Sequence, residues 1–152
     1  MREIEFRGKD STGIMNHDWF YGSLDTSFNV DFPRIVCKDK WGNTMLITVD
    51  GETVGQFTGL CDKNGKKIYE GDILCMTFSN EWTHNEERKV YYYVKFTDGM
   101  FATFYKDYEN GQWEDIEDNR LDKALIEVDK LEIVGNIYDN PELLGDSDDT
   151  HK

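Results

Sequence analysis

The sequence predicts a mainly β protein of two small antiparallel β units packed together, with at most one short helix. Three observations carry this. Paired Asn or Asp and Gly recur in WGNT (Trp41–Thr44), VDGE (Val49–Glu52), KNGK (Lys63–Lys66), TDGM (Thr97–Met100) and ENGQ (Glu109–Gln112). These residues accept the positive φ that tight hairpin turns require. The runs between them are rich in Val, Ile, Thr, Tyr and Phe, and only Pro33 and Pro141 interrupt the chain.

The elements follow in order. RIVCKDK and TMLITVD read as one hairpin around Gly42 and Asn43, with the VDGE turn signal after it. KNGK then turns a hairpin at Asn64 and Gly65. In IYEGDILCMTF, Gly71 allows an unusual backbone and Asp72 is placed to accept a backbone amide, opening a strand. Ile73, Cys75 and Thr77 then face one side, and Leu74, Met76 and Phe78 the other. VYYYVKFT and MFATFYKD form the strongest hairpin, around Asp98 and Gly99. There Tyr92, Val94 and Phe96 share one face and Tyr93, Lys95 and Thr97 the other. Aromatics on both faces fit a small barrel or sandwich that leaves part of one face exposed. NRLDKALIEVDKLEI reads as a short turn or helix at Leu121, Leu125 and Val128, or as a loop entering a strand at Ile126 to Val128; the first is preferred, followed by a strand from Leu131 to Tyr138 that Pro141 halts. The division expected is 1–58, an N-terminal β unit; 59–144, a C-terminal β unit; and 145–152, an acidic disordered tail. No Pro- or Ser-rich linker separates the units, so they are expected to pack.

Charge narrows the function. The 152 residues carry a net charge of −14, which repels phosphate backbones, so nucleic-acid binding is disfavoured. Cys37, Cys61 and Cys75 form no metal-spaced pair and suit a reducing cytoplasm. MREIEFRGKD lacks the apolar core of a leader, and no segment is apolar for long enough to cross a bilayer, so a cytoplasmic protein away from membranes is expected.

Candidate chemistry is sparse. Asp62 and Asn64 alternate as in a calcium loop, but Lys66, Lys67 and Ile73 stand where a ligand, a glycine and a bidentate Glu are needed. EDIED, Glu114–Asp118, has nothing to orient its carboxylates and reads as a solvated face. His17, His84 and His151 make no metal-binding spacing, and no phosphate loop or serine elbow occurs. No catalytic residue, cofactor or metal ligand is therefore assigned. The aromatics are more telling. Trp82, in the polar SNEWTHNEERK, and Tyr91 and Tyr93 soon after it are the candidate interaction residues. The competing account has Trp82 folded over a barrel end and the tyrosines capping the core.

REIEFR at the start, GQFTGLCDKNGKKIYEGDIL in the middle, VKFTDGMF, and VGNIYDNPELL near the end together resemble the YopX family of phage and prophage proteins. The resemblance spans nearly the whole chain. It implies two small barrel-like units, the C-terminal one an SH3-like barrel, and it brings no catalytic residue or cofactor. Asn16–Pro33 and Ser79–Lys89 depart from the family core and are the candidate specificity regions. The expectation is a non-enzymatic accessory protein binding a host or phage protein. Alternatives are a nucleic-acid-binding barrel stacking bases on Tyr91 or Tyr93, and an enzyme whose carboxylates meet only in the fold. Exposed strand edges also make a homo-oligomer a candidate.

Overall fold

A computed structural model describes residues 1–79, 87–106, 113–114, 120–121 and 130–145. The chain is mainly β, with two antiparallel sheets and almost no helix among these residues. It divides into two compact units, Met1–Gly59 and Leu60–Lys152.

The first unit contains β1 (Phe6–Lys9), β2 (Trp19–Asp25), β3 (Arg34–Lys38), β4 (Thr44–Thr48) and the start of β5 (Gly55–Cys61), in the spatial order β4-β3-β2-β1-β5. Its sheet curls so that the end of β4 meets the end of β1. Asp10 bridges Val49, Asp50 N–H donates to Lys9 C=O at 2.9 Å, and Ser11 N–H to Thr48 C=O at 3.2 Å. Val49 and Ile35 are wholly buried inside the curl, with Gly8 directly against the Val49 side chain.

Three expectations change here. WGNT lies in a five-residue loop, 39–43, rather than a tight pair, because the Asp39 carboxylate gathers the N–H groups of Trp41 and Asn43, both at 2.8 Å. VDGE is no hairpin. Asp50 accepts Glu52 N–H at 3.0 Å and starts a 3₁₀ turn, Gly51–Thr53, which carries the chain into β5. Asn16–Pro33, expected to be an insert, contributes β2, paired with both β1 and β3.

The second unit takes the end of β5, then β6 (Lys67–Tyr69), β7 (Asp72–Ser79), β8 (Glu87–Thr97), β9 (Met100–Lys106), β10 (Trp113–Glu114) and β11 (Leu131–Asn136). The order β10-β9-β8-β7-β11 puts β7 between two neighbours. Leu74, Met76, Val94, Leu121, Leu131 and Ile68 form the core, with Tyr92, Phe101 and Ile133 packed against it. Ile73 and Cys75, on the other face of β7, are buried as well, so β7 reads as a continuous apolar run. Cys75 is thus a packing residue.

The β8–β9 hairpin has the expected two-residue turn: Thr97 pairs with Met100, and Asp98 and Gly99 take φ of 51° and 79°. Phe96 shares a face with Tyr92 and Val94 but lies beyond the core, 47% exposed and edge-on to Phe101 at 5.1 Å. The last strand stops at Asn136, before the expected Tyr138, and Pro141 begins a 3₁₀ turn, Pro141–Leu144. Of the expected short helix, Leu125 and Val128 lie outside the described residues, as does 146–152 in the expected tail. No helix among the described residues is long and apolar enough to cross a membrane.

Candidate interaction surface

The turn that suggested calcium is a clasp. Gly65, at φ 79°, lets its N–H reach Asp62 C=O at 2.9 Å, while Asp62 N–H donates to Lys66 C=O at 2.8 Å. The Asp62 Oδ1 accepts from the N–H groups of Asn64 and Lys66, both at 2.9 Å, and Oδ2 accepts from Ile133 N–H at 3.0 Å. Burial alone pushes this carboxyl up, but the three backbone donors outweigh it and hold its pKa below the ordinary value. Lys63 N–H donates to Leu131 C=O at 3.0 Å and its ammonium meets Glu132 at 2.6 Å, fixing the same turn to β11. The carboxylate oxygens are therefore spent on amides. No cluster of three or more metal-ligating side chains occurs among the described residues. Downstream, Asp72 Oδ2 accepts Tyr69 N–H at 2.8 Å beside Gly71 at φ 85°, as the sequence foretold.

The three candidate residues fare differently. Trp82 lies outside the described residues. Tyr91 and Tyr93 project from β8 on the face away from the core, opposite Cys75 and Ile73, and both are half-buried. Tyr93 stacks on Phe104 at 5.3 Å.

Several apolar side chains elsewhere are more exposed. Between β2 and β3, Phe28, Val30 and Phe32 are 83%, 73% and 54% exposed. Their backbone is braced from both ends. Asp25 Oδ1 accepts from Ser27 N–H at 2.9 Å and Ser27 O–H at 2.6 Å, and its Oδ2 accepts from Arg34 Nη2 at 2.6 Å and Nε at 3.1 Å. The Ser27 hydroxyl and N–H, then Arg34, lower the Asp25 pKa to about 2. The Arg34 guanidinium also sits 5.7 Å from the Phe28 ring centre. Asn29 Oδ1 accepts Asp31 N–H at 2.8 Å, turning the loop again. Alternate apolar residues in SFNVDF were the available sequence signal. Exposure was not legible, because an alternating run reads equally well as a half-buried strand.

The outward face of the first sheet has its own character. Register places Arg7, Lys9, Trp19, Tyr21, Asp25, Arg34, Val36, Lys38 and Leu46 on it, with Arg7 itself buried. The Arg7 guanidinium lies 4.6 Å from the Trp19 ring centre and the Lys9 ammonium 6.0 Å. At the β3–β4 loop, Lys40 covers Trp41 at 4.3 Å. Residues 1–59 hold six Lys or Arg against nine Asp or Glu, and 60–152 hold eleven against twenty-two, so the units carry −3 and −11. The chain's acidity belongs mostly to its second unit.

No curated protein matches the chain. Among solved structures, the protein EF1440 from Enterococcus faecalis is similar over 95% of this chain and 99% of its own, with a TM-score of 0.54 and 22% identity, which establishes a shared fold. The family model described as YopX protein matches residues 5–145, a span that covers most of both units and includes every residue of the clasp. The chain belongs to the YopX family.

Proposed function

We propose that this chain is a phage- or prophage-encoded accessory protein that works without catalysis, binding a host or phage protein through the loop between β2 and β3. One observation carries the reading. Three large apolar side chains, Phe28, Val30 and Phe32, are held in solvent by a loop whose backbone is braced by Asp25, Arg34 and Asn29. A braced loop with exposed aromatics has the makings of an interface hot spot, because little ordering entropy is lost on binding. The carboxylates support a non-enzymatic role. Asp10, Asp25, Asp39, Asp62 and Glu132 are all shifted down, by hydroxyl, amide, backbone, arginine or lysine donors, whereas a general acid needs a raised value.

The YopX resemblance supports the phage or prophage origin, and three free thiols suit a reducing cytoplasm. The β7–β8–β9 meander, with its tight Asp98–Gly99 turn, supports reading the second unit as an SH3-like barrel. Affinity capture from host cells, comparing the wild type with a Phe28→Ser/Phe32→Ser variant, tests the function. A stoichiometric protein partner retained by the first and lost by the second is expected. Equal capture by both overturns the assignment.

A second reading rests on the outward face of the first sheet, where Lys9 lies over the Trp19 ring, and on the neighbouring β3–β4 loop, where Lys40 lies over Trp41. Cations beside aromatics suit single-stranded nucleic acid, and a unit carrying −3 repels phosphate less than the whole chain does. Titration of labelled oligonucleotides at low salt decides it, since absence of binding there removes the reading.

A further inference from the structure

β4 is the last strand in its sheet, and its ladder with β3 fixes which of its backbone groups turn outward. Val49 N–H donates to Pro33 C=O, and Asp39 N–H to Asn43 C=O, both at 2.9 Å. With the unbroken register from Arg34–Thr48 to Lys38–Thr44, the odd-numbered residues of β4 bond to β3 and the even-numbered ones face away. Thr48 shows this directly, because its C=O accepts from Ser11 on the outer side. Thr44 and Leu46 are left as a short template. Natural sheet edges are blunted by lysine, proline or a bulge. TMLIT, Thr44–Thr48, has no charge, no proline and no break in register, and Leu46 is 50% exposed.

We propose that this edge pairs antiparallel with the same edge of a second copy of the chain, about a two-fold axis at Met45. Thr44 exchanges both backbone bonds with Leu46 of the second copy, and Leu46 with its Thr44. An axis through Leu46 is excluded, because it would make Thr44 of the second copy bond to Thr48, whose outward C=O Ser11 already holds, whereas about Met45 the residue opposite Thr48 is Gly42, in the loop beyond the ladder. Charge fits the same register. The antiparallel run brings Lys40 in the β3–β4 loop of one copy, and Lys38 at the end of its β3, towards Asp50 and Glu52 of the other, and all four are exposed. Asp39, the acid of that loop, is turned inward onto Trp41 and Asn43. The contact is isologous and short, which places it in the transient class, below about 1,200 Å². It uses neither Phe28 nor Phe32, so it stands or falls apart from the loop reading.

Sedimentation of the full chain over a wide concentration range tests it. A reversible monomer–dimer equilibrium is expected. Leu46→Pro deletes an outward donor that β3 does not use, and it is expected to be monomeric where the wild type dimerises. Lys38→Glu with Lys40→Glu, all at exposed positions, is expected to weaken the dimer about tenfold, and adding Glu52→Lys to recover part of that loss. The charge-reversal series keeps the test valid if Leu46→Pro loses its native circular dichroism. A chain that is monomeric at every concentration overturns the proposal. So does a dimer whose Kd is unchanged by charge reversal.

Discussion

Each unit is organised around a buried aspartate that gathers backbone amides, but the two work over different distances along the chain. In the first unit, Asp10 accepts from Thr12 N–H at 3.0 Å, Thr12 O–H at 2.6 Å and Met15 N–H at 2.9 Å, all within five residues. In the second, Asp62 ties its own turn to Ile133, 71 residues away. A local clasp shapes the loop it belongs to, while a long-range one helps to offset the entropy of closing the much longer loop between its two ends. The charge distribution differs in the same sense. The first unit is close to neutral and exposes its apolar loop, while the second is strongly acidic and packs aromatics on both faces of β8.

The contrast can be broken most forcefully at the second core. Leu74→Ala removes a wholly buried side chain from the centre of β7 and is expected to cost about 3 kcal/mol in urea unfolding. Asp62→Ala comes next, at about 2 kcal/mol, since it strands the amides of Asn64, Lys66 and Ile133. Hydrogen exchange should then rise at Ile133 as well as in the turn. In Asp10→Ala, exchange should rise only over residues 12–15. An equal spread in the two variants would erase the distinction between local and long-range clasps.

Acid sharpens it further. Asp10 is lowered to about 2, chiefly by the Thr12 hydroxyl, and backbone donors hold Asp62 below the ordinary carboxyl value, whereas an aspartate in an unfolded chain ionises at about 3.9. Their folded values are the lower ones, so their stabilisation is complete above about pH 4 and fades as the pH falls through the folded pKa values. Unfolding midpoints measured between pH 6 and 2.5 should decline only in the lower part of that range, and less steeply in Asp62→Ala. The smallest effect is expected from Phe28→Ser, within about 0.5 kcal/mol of the wild type in stability, because its ring is already in water. A large loss there would mean that the loop supports the fold rather than a partner.

Much of the local structure was legible. The Asp98–Gly99 turn, the Gly71–Asp72 entrance to β7 and the β3–β4 hairpin follow from residues a few positions apart. The interaction surface was less so. Tyr91 and Tyr93 look like surface aromatics in sequence, yet cross-strand neighbours half-bury them. Phe28, Val30 and Phe32 look like a strand face, yet Asp25 and Arg34 hold their backbone in a loop. In both cases the deciding partner comes from another strand.

By itself the sequence determined the β class, the tight Asp98–Gly99 turn and the YopX lineage, because positive φ, period-two alternation and ordered motifs are properties of neighbouring residues. Tertiary structure alone decided that Asp62 is a clasp to β11, that β7 is buried on both faces, and that VDGE bends into a 3₁₀ turn rather than a hairpin. The physical reason is range. A carboxylate's donors and a strand's second covering layer come from segments tens of residues away, and no window of the sequence contains both partners.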